Sequence, residues 1–124
     1  MSKTVLVVDD EVTNRELFRQ VLTLQGYDVL EAASGKQAIA EVQSSKPDLI
    51  LLDLFMPEGD GLSVLHAVRG HAETKETPVV VVTAALNEAI HEKTKEAGCD
   101  ALLRKPVDMQ ALLETIGQFI SKDD

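Results

Sequence analysis

The chain has 124 residues, a single cysteine and a formal charge of −9, from 12 basic and 21 acidic residues. That length suits one domain able to bury a core without staples, and a lone cysteine excludes an internal disulfide and fits a reducing compartment. An acidic chain with no Trp is ill suited to nucleic-acid binding through an overall positive field or a stacking platform, and with no secretory signal and no apolar run near the roughly 20 residues that cross a bilayer it reads as soluble and cytoplasmic, away from the membrane.

Residues 5–8, all Val or Leu, form a continuous apolar run of the kind buried on both faces of a parallel sheet. The run stops abruptly at Asp9 and Asp10. Residues 12–25 carry Leu17, Phe18, Val21 and Leu22 at helical spacing, and Gly26 fits a helix stop. A weaker strand is predicted over 29–32. Ser34 then caps a helix bearing Ala38, Ile39 and Val42. Residues 49–52 repeat the apolar run and again meet an acid, Asp53.

The turn-rich "FMPEGDG" leads into a helix with Leu62, Leu65 and Val68. Residues 79–82, four valines, predict a strand ending at Thr83. Residues 87–97 predict a helix with a thin apolar face of Ala89, Ile90 and Ala97, closed by Gly98. A short strand over 101–103 runs to Lys105-Pro106, and Asp108 caps a last helix with Met109, Leu112, Leu113, Ile116 and Ile120 on one face. Five alternating strand–helix units predict an α/β fold, a parallel sheet covered by helices on both faces.

In such sheets ligands sit outside the carboxyl ends of the strands. There the strands offer Asp9 and Asp10, Asp53, Thr83 and Lys105, while the second strand offers only Ala32 and Ala33 and belongs at an edge. Two like charges about 4 Å apart interact by about 4 kcal/mol at an effective dielectric near 20. One ammonium does not balance three carboxylates, so the pocket calls for protonation or a cation. All-oxygen donors favour Mg²⁺, with Mn²⁺ a close substitute. Such an ion keeps an open face for a phosphoryl group, whose oxygens Thr83 and Lys105 could hold. Asp53, alone on its strand, is the candidate nucleophile, and the paired Asp9 and Asp10 are better suited to gripping metal. Taken singly, each of these residues reads as a cap, a strand residue or a solvated charge; their convergence on one edge carries the reading.

"VLVVDDE", "DLILLDLFMPEGDGL", "VVVVTAA" and "AGCDALLRKP" together resemble the receiver domains of two-component response regulators, over nearly the whole chain. The resemblance implies a flavodoxin-like, doubly wound (βα)5 fold with strand order 2-1-3-4-5, in a single domain over residues 1–124 with its core at about 3–120. It implies a signalling switch rather than an enzyme. Asp53 would be the phosphoacceptor. Asp10, Asp53 and the backbone carbonyl of Phe55 would hold Mg²⁺, with Asp9 acting partly through water. Thr83 and Lys105 would contact the phosphoryl group, and the bond before Pro106 would be cis. The donor would be a phosphohistidine on a sensor histidine kinase or phosphotransfer protein, and the output a downstream protein target.

Leu102 stands where receivers usually carry Tyr or Phe, so the usual aromatic rotation does not carry over. Phe55 and Ala85 cannot orient a water, which implies a slowly decaying aspartyl phosphate. Asn14-Arg15 is similar to receivers attached to hybrid kinases. The alternatives are a small Mg²⁺-dependent phosphohydrolase, a flavin or nucleotide binder, and a receiver-fold binding module that has lost its switch. "DDEVTN" after the first strand repels phosphate, which counts against the nucleotide binder.

Overall fold

The computed structural model describes residues 2–54, 56, 61–84 and 87–120. In chain order the elements are β1 (Thr4–Val8), α1 (Val12–Leu24), β2 (Asp28–Ala32), α2 (Gly35–Ser45), β3 (Leu49–Asp53), α3 (Gly61–Gly70), β4 (Val79–Thr83), α4 (Glu88–Glu96), β5 (Ala101–Arg104) and α5 (Met109–Phe119). The strands form one parallel sheet of order β2-β1-β3-β4-β5. This is the flavodoxin-like topology that the resemblance implied.

The sheet sorts its side chains by the two-residue period of a strand. Leu6, Val8, Ile50, Leu52, Val79 and Val81 face one core with Ala38 and Val42 of α2 and Val64, Leu65 and Val68 of α3. Val5, Val7, Leu49, Leu51, Val80 and Val82 face the other, with Phe18 and Leu22 of α1 and Leu112 and Ile116 of α5. Both faces of the central strands are therefore covered, which is why their sequences are apolar throughout rather than alternating. The edge strand β2 is only partly buried over most of its length.

Helix ends follow local chemistry. The side chains of Ser34, Asn87 and Asp108 accept the backbone N–H of Gln37, Ile90 and Gln110, capping α2, α4 and α5. Gly26 and Gly98 leave α1 and α4 with φ of +95° and +98°, the left-handed region where a Cβ is strained.

Three residues depart from the sequence expectation. Leu17 is 46% exposed, because α1 turns only Phe18 and Leu22 fully toward the sheet. Ala89 of α4 is exposed. The fully buried residue of α4 is instead Thr94, whose hydroxyl donates to the carbonyls of Ile90 and His91 and so enters the core with its polarity satisfied inside its own helix.

Candidate functional site

The carboxyl ends of β1, β3, β4 and β5 lie along one edge of the sheet. Register fixes their relation: Asp53 pairs with Val82, and Thr83 with Arg104, so Asp53 and Thr83 stand on neighbouring strands one residue apart in level. Lys105 follows directly, its N–H donating to the Thr83 carbonyl at 2.9 Å. The Lys105–Pro106 peptide bond is cis.

Ligand atoms of Asp9, Asp10 and Asp53 all lie within 4.8 Å of one another. Among the described residues this is the one group of three or more His, Cys, Asp or Glu side chains able to hold a metal ion. Asp9 is 1% exposed and Asp53 7%, whereas Asp10 is open to solvent. The Lys105 Nζ sits between the two buried acids, 3.1 Å from Asp9 Oδ2 and 3.4 Å from Asp53 Oδ2. Burial opposes the Lys105 ammonium, but its hydrogen bond to Asp9 and the charges of Asp53 and Asp9 outweigh that cost, and its pKa is raised above the ordinary lysine value. Lys105 therefore stays charged at neutral pH.

Asp9 is tied through both its backbone and its side chain. Its N–H donates to the Ala32 carbonyl, its Oδ1 accepts the N–H of Glu11 at 2.9 Å, and its Oδ2 takes Lys105. Its own carbonyl accepts Arg15 Nη1 at 2.7 Å. Asp10 makes no side-chain hydrogen bond to a described residue and is left to its backbone for position. Thr83 is fully buried at the end of β4.

The wall behind Asp53 is Gly61, whose N–H donates to the Leu54 carbonyl at 2.7 Å. A Cβ there would stand 2.7 Å from Leu54 Cα and 2.8 Å from the Asp53 carbonyl oxygen. The start of α3 is thus pressed onto the backbone that carries Asp53. Sequence reasoning placed Gly61 in a turn-rich loop and did not give it this part; the glycine just ahead of an apolar helix was the available signal.

Beside Lys105 opens a mostly apolar recess of about 370 Å³ lined by Asn14, Phe18, Ala84, Pro106 and Met109, among others. Leu102 lies on β5 in register with Val81 and packs against the core that α2 and α3 cover. Phe55 and Ala85, expected to matter to metal binding and to hydrolysis, lie outside the described residues.

Among the described residues the pocket is all oxygen with one ammonium, and its three carboxylates exceed the positive charge beside them. Such a donor set fits a hard divalent cation of the Mg²⁺ class and lacks the imidazole or thiolate ligands a softer metal prefers.

Residues 5–117 match the response regulator receiver domain family. The polar-differentiation response regulator DivK of Brucella ovis is 33% identical over 120 residues, covering 97% of this chain and 98% of that protein. Among solved structures, the chemotaxis protein CheY4 of Vibrio cholerae superposes with a TM-score of 0.92 at 31% identity, covering 97% of this chain and all of that one. The receiver domain of a signal transduction histidine kinase from Syntrophus aciditrophicus gives 0.88 at 25% identity, covering 95% and 89%. Fold, edge chemistry and family match agree: the chain belongs to the receiver domains of two-component response regulators.

Proposed function

We propose that the chain, as a single receiver domain over residues 1–124 with its core at about 3–120, is a phosphorylation switch whose phosphoacceptor is Asp53. The observation that carries this is the Lys105 ammonium held between two buried carboxylates, in a pocket with more acid than base. Asp9, Asp10 and Asp53, with the Phe55 carbonyl, would hold Mg²⁺, or Mn²⁺ in its place. When bound, the ion supplies positive charge that offsets the acids and the incoming phosphoryl oxygens.

The remaining steps belong to the protein. An oxygen of Asp53 attacks phosphorus, the P–N bond of a donor phosphohistidine breaks, and its electron pair leaves with the imidazole. Lys105, anchored by Asp9, stays in place to bind a phosphoryl oxygen once Asp53 carries the phosphoryl group as an acyl phosphate. The Thr83 hydroxyl serves a second phosphoryl oxygen. The apolar recess beside Lys105 suits a protein donor, a sensor histidine kinase or a phosphotransfer protein, rather than a small free substrate. The chain promotes its own phosphorylation and dephosphorylation and turns over no separate substrate.

Output goes to a downstream protein target. With Leu102 in place of an aromatic, the change is carried by Thr83 into the following helix α4, whose one fully buried residue is Thr94. The low aromatic content, the net charge of −9 and the lone cysteine support a cytoplasmic role without direct nucleic-acid or membrane binding; among the described residues no helix is long and apolar enough to cross a membrane.

The test is incubation with Mg²⁺ and a small phosphodonor such as acetyl phosphate, followed by intact mass. Wild type gains one phosphoryl group, and Asp53→Asn gains none. Equal uptake by Asp53→Asn, or no uptake by wild type, defeats the assignment.

A further inference from the structure

Arg15 lies on α1, outside the pocket, yet its guanidinium reaches the pocket's backbone. Nη1 donates to the Asp9 carbonyl at 2.7 Å, while Nε donates to Glu31 Oε1 on the edge strand β2 at 3.2 Å. Glu31 is held from its other oxygen by Arg19 at 2.7 Å. The Arg15 side chain is only 15% exposed, so its own two bonds are partly shielded from water, whereas Arg19 is 59% exposed. The Asp9 backbone is therefore held on both sides of its Cα: its N–H, in the peptide from Val8, donates to the Ala32 carbonyl, and its C=O, in the peptide that leads to Asp10, accepts from Arg15.

That peptide matters because of Asp10. Its carboxylate is exposed and has no hydrogen bond to a described residue. Nothing on the side chain itself sets its direction toward Asp53, so the backbone must. A planar guanidinium can hold two acceptors at a fixed angle, which a lysine ammonium on a flexible stem does not reproduce.

We propose that Arg15, tethered by Glu31, is a positioning residue that aims Asp10 into the metal pocket. The assignment rests on the reading of that pocket as a Mg²⁺ site. It has a rival with the opposite sign. If Arg15 acted only as a nearby positive charge, it would repel a cation, and removing it would tighten Mg²⁺ binding. A positioning role predicts that removal weakens binding although the region becomes more negative.

Calorimetric titration of Mg²⁺ into wild type, Arg15→Met, Arg15→Lys and Glu31→Gln separates these. Groups that orient metal ligands typically change affinity by 10–100-fold, and about tenfold weaker binding is expected for Arg15→Met, nearly as much for Arg15→Lys, and less for Glu31→Gln. A second readout is phosphorylation by acetyl phosphate as a function of Mg²⁺: the half-saturating concentration rises more than the limiting rate falls. A merely structural role would lower the limiting rate with the folded fraction and leave half-saturation unmoved. Unchanged or tighter Mg²⁺ binding in folded Arg15→Lys overturns the proposal even if Arg15→Met fails to fold. Wild type that binds no Mg²⁺ overturns the reading of the pocket and takes the Arg15 assignment with it, a result distinct from binding that is intact in every variant.

Discussion

The two edges of the sheet both carry aspartates, and they use them in opposite ways. At the amino edge, Asp48 accepts the Thr4 N–H at 2.7 Å, and Asp100 accepts the Val79 N–H at 2.8 Å, each tying off the first residue of a strand. Asp100 also pairs with Arg69 Nη2 at 2.7 Å. Arg69 spends its remaining donors on the carbonyls of Gly98 and Thr77. One acid meets one base there. At the carboxyl edge, among the described residues, Asp9 and Asp53 share one ammonium while a third acid, Asp10, has no hydrogen-bonded partner. A closed ion pair ties neighbouring elements together; an open excess of like charge favours a cation. The same residue type is structural or functional according to whether its neighbours complete it.

If the amino edge is purely structural, breaking it should cost stability and spare the chemistry. Arg69→Ala strands the Gly98 and Thr77 carbonyls and unpairs Asp100. The pair is 22% and 35% exposed, so the loss falls below that of a fully buried pair, about 2–3 kcal/mol. The urea midpoint should drop accordingly, while folded protein takes up phosphoryl groups at the wild-type rate. A slowed rate in the folded variant would erase the division between the edges. Gly61→Ala should injure both properties. Its new methyl cannot avoid the Leu54 Cα and the Asp53 carbonyl without moving backbone. The cost is about 1–2 kcal/mol, and because the displaced backbone carries Asp53, phosphoryl uptake should slow beyond what the folded fraction explains.

How much of this was legible beforehand depended on how local its cause is. The three central strands announced themselves because burial on both faces demands unbroken apolar runs, and the switch from Val8 to Asp9 or Leu52 to Asp53 marked where each run met the edge. The caps Ser34 and Asp108 were legible for the same reason: a cap is settled within three residues. Facing was not. Leu17 and Ala89 fit a helical stripe yet face solvent, and Thr94 is buried, because the partner surface decides which side of a stripe is used. Pairings distant in sequence were hidden altogether. Arg15 was noticed, but its bond to Glu31 spans 16 positions, and that of Arg69 to Asp100 spans 31. No local pattern encodes either.

The finest test of the comparison is a substitution that should help the protein and hurt its function. Asp10→Asn removes one charge from the excess without breaking a hydrogen bond to a described residue. Without Mg²⁺, relief of repulsion at this exposed position should stabilise the fold by about 0.5 kcal/mol at low salt, shrinking as salt is added. With Mg²⁺ the order should invert. A ligand that binds only the folded state at ten times its Kd stabilises by about 1.4 kcal/mol, so wild type should gain roughly that much and overtake the variant, which has lost a ligand. Thermal melts of both proteins with and without Mg²⁺ read the crossing. Asp100→Asn, at the completed edge, should be destabilised in both conditions and show no crossing, because its carboxylate already has its partners. If Asp10→Asn behaved like Asp100→Asn, the acids of the carboxyl edge would not be an open excess, and the contrast between the edges would fail at its source.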